Sequence, residues 1–212
     1  MLSKLQDFTN RFGLWTLGVI HFFGILVISW SNTDFWASFT PLNLLIATAF
    51  VFMVATKMRS LAVFFFISFF IGYLAELLGT QTGFPFGNYQ YLQNLGPKII
   101  EVPLLIGVNW FLMAYASRIW ANRYLGNHLA QALLASLLMV CVDFFIEPIS
   151  ANLGFWQWEN DIIPIENYFG WLGVSLLVQL LFPPSLQGES NAIAKWYLPM
   201  IFLFFLILNF TL

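Results

Sequence analysis

The sequence predicts an all-α fold: a polytopic membrane helix bundle of about seven transmembrane helices with two aromatic-rich non-cytoplasmic loops. Three observations lead there. Of 212 residues, 60% are hydrophobic and only 8% charged, against about 25% charged in a soluble domain. The mean hydropathy is +0.80. The apolar residues run in long unbroken blocks, not in the alternation of an outer-membrane barrel. One cysteine, Cys141, and two histidines exclude a disulfide framework and His-rich metal sites. A net charge of −2 gives no electrostatic footprint for nucleic acid.

A helix needs about 20 apolar residues to cross the hydrocarbon core. Leu14–Trp30 is the first block. No small-residue cleavage site precedes the next span and the block runs too long for a signal h-region, so the segment is expected to stay as a span and not to leave as a signal peptide. Pro41–Ala55 follows and is short; then come Leu61–Leu78, Ile99–Trp120 and Leu129–Ile149. Gly170–Phe182, with a few residues before it, and Trp196–Leu212 complete the set. No linker rich in Pro, Gly and Ser divides the chain, so residues 1–212 read as a single integral-membrane domain.

Basic residues orient the spans. With seven spans, Lys4, Arg11, Lys57, Arg59, Arg118, Arg123 and Lys195 share one side, and only Lys98 takes the other. The expectation is a multi-pass cell-membrane protein with its N-terminus cytoplasmic and its C-terminus non-cytoplasmic. The acids are skewed the opposite way. Asp34, Glu76, Glu101, Asp143, Glu147, Glu159, Asp161 and Glu166 lie toward the far side, against Asp7 and Glu189 on the near side. Topology does not require that skew, so it points to a site in the outer half of the membrane.

Residues 79–97 and 150–164 interrupt the helical pattern with Gly, Pro and aromatics. They read as semi-buried lids or re-entrant segments at the membrane surface. They also resemble each other. Glu76 precedes Gly83-Phe84 by seven residues, as Glu147 precedes Gly154-Phe155. Each segment ends in a Pro followed by a Glu that opens the next helix: Pro97 with Glu101, Pro164 with Glu166. The two glutamates are 71 residues and two spans apart. This suggests an internal parallel repeat of residues 61–125 and 129–185, although interfacial loops share such residues in any case.

Five acids sit within or at the ends of apolar blocks: Glu76, Glu101, Asp143, Glu147 and Glu166. A carboxylate in a span is costly and is read first as functional. Asp143 and Glu147, four residues apart, share a helix face. Two like charges so close cannot both persist in a low dielectric, so one carboxyl is expected to hold a proton, as a general acid must. The bland alternative is a helix-end acid bonded to loop backbone, and it weighs more for Glu101 and Glu166, which suit helix N-termini. Tyr89, Tyr91, Trp156, Trp158, Tyr168 and Trp171 crowd the same side. Their ring faces could stabilise a cation, or they could form an interfacial belt. Di-iron hydroxylases need more histidine, retinal proteins need a lysine inside the last span, and nucleotide and GxSxG motifs are missing. Acid–base chemistry without a cofactor remains, or transport.

Two compound motifs carry a resemblance. The first is Glu76-x-x-Gly79, Gly83, Pro85-Phe86-Gly87-x-Tyr89-x-Tyr91, Gly96-Pro97, Val102-Pro103 and Trp110. The second is Asp143-x-x-x-Glu147-Pro148, Gly154, Trp156-x-Trp158 and Asn167-Tyr168-x-Gly170-Trp171. Together they resemble the carotenoid biosynthesis membrane proteins of the carotenoid 1,2-hydratase type, over roughly residues 61–174. That family acts on γ-carotene, lycopene or bisanhydrobacterioruberin ends. The resemblance implies hydration of the terminal C1–C2 double bond of an acyclic ψ end by a cofactor-independent hydro-lyase, with no metal. The five acids read above, Glu76, Asp143, Glu147, Glu101 and Glu166, stand as the catalytic candidates for that chemistry, with Asp143 or Glu147 as the proton donor and Glu76 orienting water. Phe86, Tyr89, Tyr91, Trp110, Trp156, Trp158, Asn167 and Trp171 would line the substrate. The expected partner is a carotenoid entering from the bilayer, with no nucleic acid; a homo-oligomer or association with other carotenoid enzymes stays open. So do two other functions, acid-initiated cyclisation of the lycopene cyclase type and a non-enzymatic lipid or carotenoid transporter or binding protein.

Overall fold

The computed structural model describes the backbone of residues 2–212 and the side chains from Gln6 onward. The side chain of Lys4, counted above among the basic residues, lies outside the described residues.

Helices dominate. α1 (Leu2–Trp30), α3 (Thr40–Met53), α4 (Met58–Thr82), α5 (Leu104–Tyr124), α6 (His128–Ile146), α7 (Ile165–Leu180) and α8 (Ala192–Leu208) correspond in order to the seven apolar blocks. A short α2 (Thr33–Ala37) is added between the first two, capped by Asn32, whose side chain accepts from Phe35 N at 3.0 Å. Five segments are long and apolar enough to cross a membrane: Gln6–Trp30, Thr33–Met53, Met58–Thr82, Leu104–Tyr124 and His128–Ile149. α7 and α8 are shorter, at 16 and 17 residues. α5 is apolar nearly all round and is buried from Ile106 to Ala121, as befits a helix at the centre of a bundle.

Two features depart from the sequence reading. The all-α expectation contained no strands, yet four short ones form: β1 (Tyr89–Tyr91), β2 (Lys98–Ile99), β3 (Val102–Pro103) and β4 (Trp156–Trp158). α5 also starts later than the block Ile99–Trp120. β2 and β3 form a hairpin whose turn residues, Ile100 and Glu101, take φ of 50° and 63°. Pro103, with no N–H to donate and φ fixed near the helical value, then serves as the N-cap of α5. Glu101 is therefore an exposed turn residue and does not open a helix. Tyr73 of α4 pins the hairpin by donating to Ile99 O at 3.0 Å and Val102 O at 3.1 Å.

Hydrogen bonds between distant segments define the two ends of the bundle. At one end Gln6 Nε2 donates to Val54 O (2.8 Å), Asn191 Nδ2 to Val51 O (2.9 Å), and Trp120 Nε1 to Lys195 O (2.7 Å). At the other, Ser29 meets Thr211 at 2.8 Å and Asn94 donates to Asp34 at 2.8 Å. The C-terminal residues thus lie at the opposite end from Gln6. Lys57, Arg59, Arg118, Arg123 and Lys195 cluster toward the Gln6 end, and Lys98 toward the other. Arg118, fully buried, ties three helices there. It stacks on Phe182 at 4.6 Å and donates to Asn122, Gln179 O and Gln131, with His128 Nδ1 at 2.8 Å. No carboxylate is among these partners.

Candidate active site

Three buried carboxyls define the site. Glu76 lies six residues before the end of α4, about 9 Å along its axis. Asp143 lies in the last turn of α6, and Glu147 begins the single 3₁₀ turn that follows. Their exposures are 4%, 0% and 3%, so bulk water does not reach them and their polar atoms must be satisfied inside the fold.

β1 and β4 supply most of the partners. They pair antiparallel, Tyr89 opposite Trp158 and Tyr91 opposite Trp156. Backbone bonds extend the ribbon on both sides, Glu159 N to Asn88 O (3.0 Å) and Asn94 N to Gly154 O (2.9 Å). Both strands read aromatic–Gln–aromatic. Because side chains alternate along a strand, both aromatic pairs point down into the bundle while Gln90 and Gln157 point away. Tyr89 and Tyr91 donate to Glu76 Oε2 at 2.5 and 2.7 Å. Trp156 and Trp158 donate to Glu147 Oε2 at 3.0 and 2.6 Å. Burial, followed by the charge of Glu76, raises the Tyr89 phenol far above its ordinary value, and burial does the same to Tyr91. Both phenols therefore stay protonated and serve as donors.

The flanking helices complete each set. Trp110 of α5 donates to Glu76 Oε1 at 2.9 Å. Asn167 of α7 donates to Glu147 Oε1 at 2.7 Å and to Asp143 Oδ2 at 3.1 Å. Each glutamate thus accepts three side-chain hydrogen bonds, while Asp143 Oδ1 is buried without a partner. Trp110 and Trp171 stack between the halves, 4.3 Å apart and 14° from parallel. Gly79 lets β1 approach α4: a Cβ there would come within 2.7 Å of the Tyr89 hydroxyl.

Glu76 and Glu147 line a common void with Phe86, Ile106, Asn167 and Trp171, together with the β1 and β4 aromatics. Its free volume is about 10 Å³, about one water position. Beside it, and sharing Ile106 and Trp156, lies an apolar cleft of about 420 Å³.

Of the five candidate acids, the fold brings together Glu76, Asp143 and Glu147. Glu101 and Glu166 stay apart: Glu101 is 82% exposed with Lys98 at 3.9 Å, and Glu166 is exposed in the first turn of α7. All eight candidate lining residues surround the carboxyls. The tyrosines and tryptophans of the strands, however, turn O–H and N–H groups toward them. Tyr168 stands aside against Phe144 at 5.8 Å. The sequence reading missed the cleft, whose walls include α1, α2, α3 and α8. Most of its residues are ordinary apolar ones, and its few polar members, His21, Thr40, Asn43 and Asn109, are scattered through the chain without a motif. It also missed the ribbon, although YQY and WQW show the two-residue period of strands.

The family described as "Carotenoid biosynthesis protein" matches residues 39–212. A bisanhydrobacterioruberin hydratase of Haloarcula japonica is 34% identical over 118 residues, 52% of this chain and 40% of that relative. The chain thus covers less than half of that relative's length. No solved structure matches. The family match spans the carboxyls, both strands of the ribbon and the helices that carry their donors, and the chain belongs to the family of carotenoid biosynthesis proteins.

Proposed function

We propose that this protein hydrates the terminal C1–C2 double bond of an acyclic carotenoid end group. The observation that carries the reading is a water-sized void lined by the buried carboxyls of Glu76 and Glu147, with Asp143 joined to Glu147 through Asn167, beside an apolar cleft. Hydration needs an acid, a base, a water and an apolar berth. In the proposed cycle a protonated carboxyl of the Asp143–Glu147 pair gives its proton to C2. The π electrons form the new C–H bond and leave a tertiary cation at C1. Water attacks C1 and loses a proton to a carboxylate, so the sum is addition of one water. Asp143 Oδ1 can carry the starting proton without displacing a hydrogen bond, because it has no partner. Glu76, with three donors and no acceptor around it, is satisfied as the ionised base that orients the water. The ionised carboxylates stabilise the passing cation. This scheme needs no cofactor.

The reading extends to the framework. Seven spans would put the basic end in the cytoplasm and the carboxyls in the outer half of the membrane. The paired donor sets of Glu76 and Glu147 favour a parallel repeat about an axis along the membrane normal.

The test is expression in a lycopene-accumulating host, with pigment analysis and 18O-labelled water. The expected product is heavier by one water and carries the label, and it forms without oxygen. An isomeric product would mean cyclisation, no product would mean transport or storage, and label arriving from O₂ would sink the hydration mechanism.

A further inference from the structure

The cleft beside the carboxyls is built for a long apolar ligand. Its inner wall holds Leu44, Leu153, Ile146 and Phe205, and Ile106 and Trp156 separate it from the carboxyl void. Along α1 it runs from Ile20 to Ile28, about 12 Å. Its volume lies in the range of small-molecule sites. The rim is apolar as well: Phe23, Phe39 and Leu42, between α1 and α3, are 55%, 46% and 53% exposed. On a membrane helix such residues face hydrocarbon, so the mouth opens sideways to lipid and not to water.

We propose that this cleft holds the unsaturated hydrocarbon chain of the substrate. The reacting end lies at the Ile106–Trp156 wall, and the remainder leaves between α1 and α3 into the bilayer. The inference rests on the carotenoid reading of the site. Three features point to this occupant. The cleft adjoins the carboxyls, its lining is mostly apolar with His21, Thr40, Asn43 and Asn109 as its polar members, and its lateral mouth lets a ligand longer than the cleft keep its far end in lipid.

The test is retention of lycopene by the purified full-length protein in detergent, read as visible absorbance per protein after washing. Val27→Trp on α1 and Ile46→Trp on α3 fill the cleft from opposite walls. Val19→Trp, on an exposed face of α1 outside the cleft, is the control. Wild type, Val19→Trp and Glu147→Gln should retain lycopene, the last without converting it. The two cleft variants should retain about ten-fold less or lower. Val27→Phe, a smaller increment, keeps the comparison readable should the tryptophan variants aggregate.

Equal retention by a folded cleft variant and wild type would overturn the proposal, as would no retention by wild type. Formation of a hydrated product alongside that result would leave the hydration reading intact. Conversely, retention lost only in the cleft variants, with no hydrated product from wild type either, would sink the hydration reading and keep the cleft.

Discussion

The halves around Glu76 and Glu147 share a plan and differ in one place. In each, a glutamate near a helix end accepts two donors from a strand of the ribbon and one from the next helix. The difference lies one turn earlier. Asp143 precedes Glu147 by four residues, and Gly72 occupies the same place before Glu76. Trp110 fills the room that a side chain at Gly72 would need; a Cβ there would come within 2.2 Å of the indole. One half therefore holds a pair of acids bridged by Asn167, and the other a single acid backed by an indole. In the proposed cycle, the two similar frames divide proton donation from proton acceptance through which side chain occupies one position.

The comparison can be broken most directly at the carboxyls. Glu147→Gln, Asp143→Asn and Glu76→Gln should each cut product formation by about 10²–10⁴-fold while the protein still inserts and elutes as wild type. Full activity in Asp143→Asn would erase the functional difference between the halves. Next in size is Asn167→Leu, which removes the bridge and leaves two buried carboxyls short of a donor. A loss of about 1–3 kcal/mol is expected, read as a lower midpoint of thermal unfolding in detergent, together with reduced activity. In the Glu76 half, Gly72→Ala should overpack the Trp110 site at a comparable cost of about 1–3 kcal/mol, and an unchanged midpoint would show that Trp110 can yield. The smallest effects belong to the acids outside the cluster. Glu101→Gln, Glu166→Gln, Glu159→Gln and Asp161→Asn should stay within about two-fold of wild-type turnover, and a large loss in any of them would enlarge the site beyond the buried three.

Much of this arrangement was legible in the sequence. Apolar blocks of the right length give helices in the right order, because burying a backbone in an apolar medium requires internal hydrogen bonding. The skew of bases to one end and acids to the other marked the end of the bundle where the buried carboxyls gather. The four-residue spacing of Asp143 and Glu147 put them on one face, and the YQY and WQW runs held the ribbon's period for a reader looking for strands. What the linear pattern could not supply was choice among equals. Glu101 and Glu166 flank apolar blocks much as Glu76 and Glu147 do, yet a turn at positive φ and an exposed first helical turn keep them out. The donors of Glu76 come from 13, 15 and 34 positions away. The cleft is assembled from α1, α3, α5, α6 and α8. Hydrophobic pattern and charge are local properties of the chain, so they determined the elements and which end of the bundle carries most of the bases. Which polar edge meets which carboxyl, and where a void remains between helices, depends on how whole helices pack, and only the tertiary structure decided that.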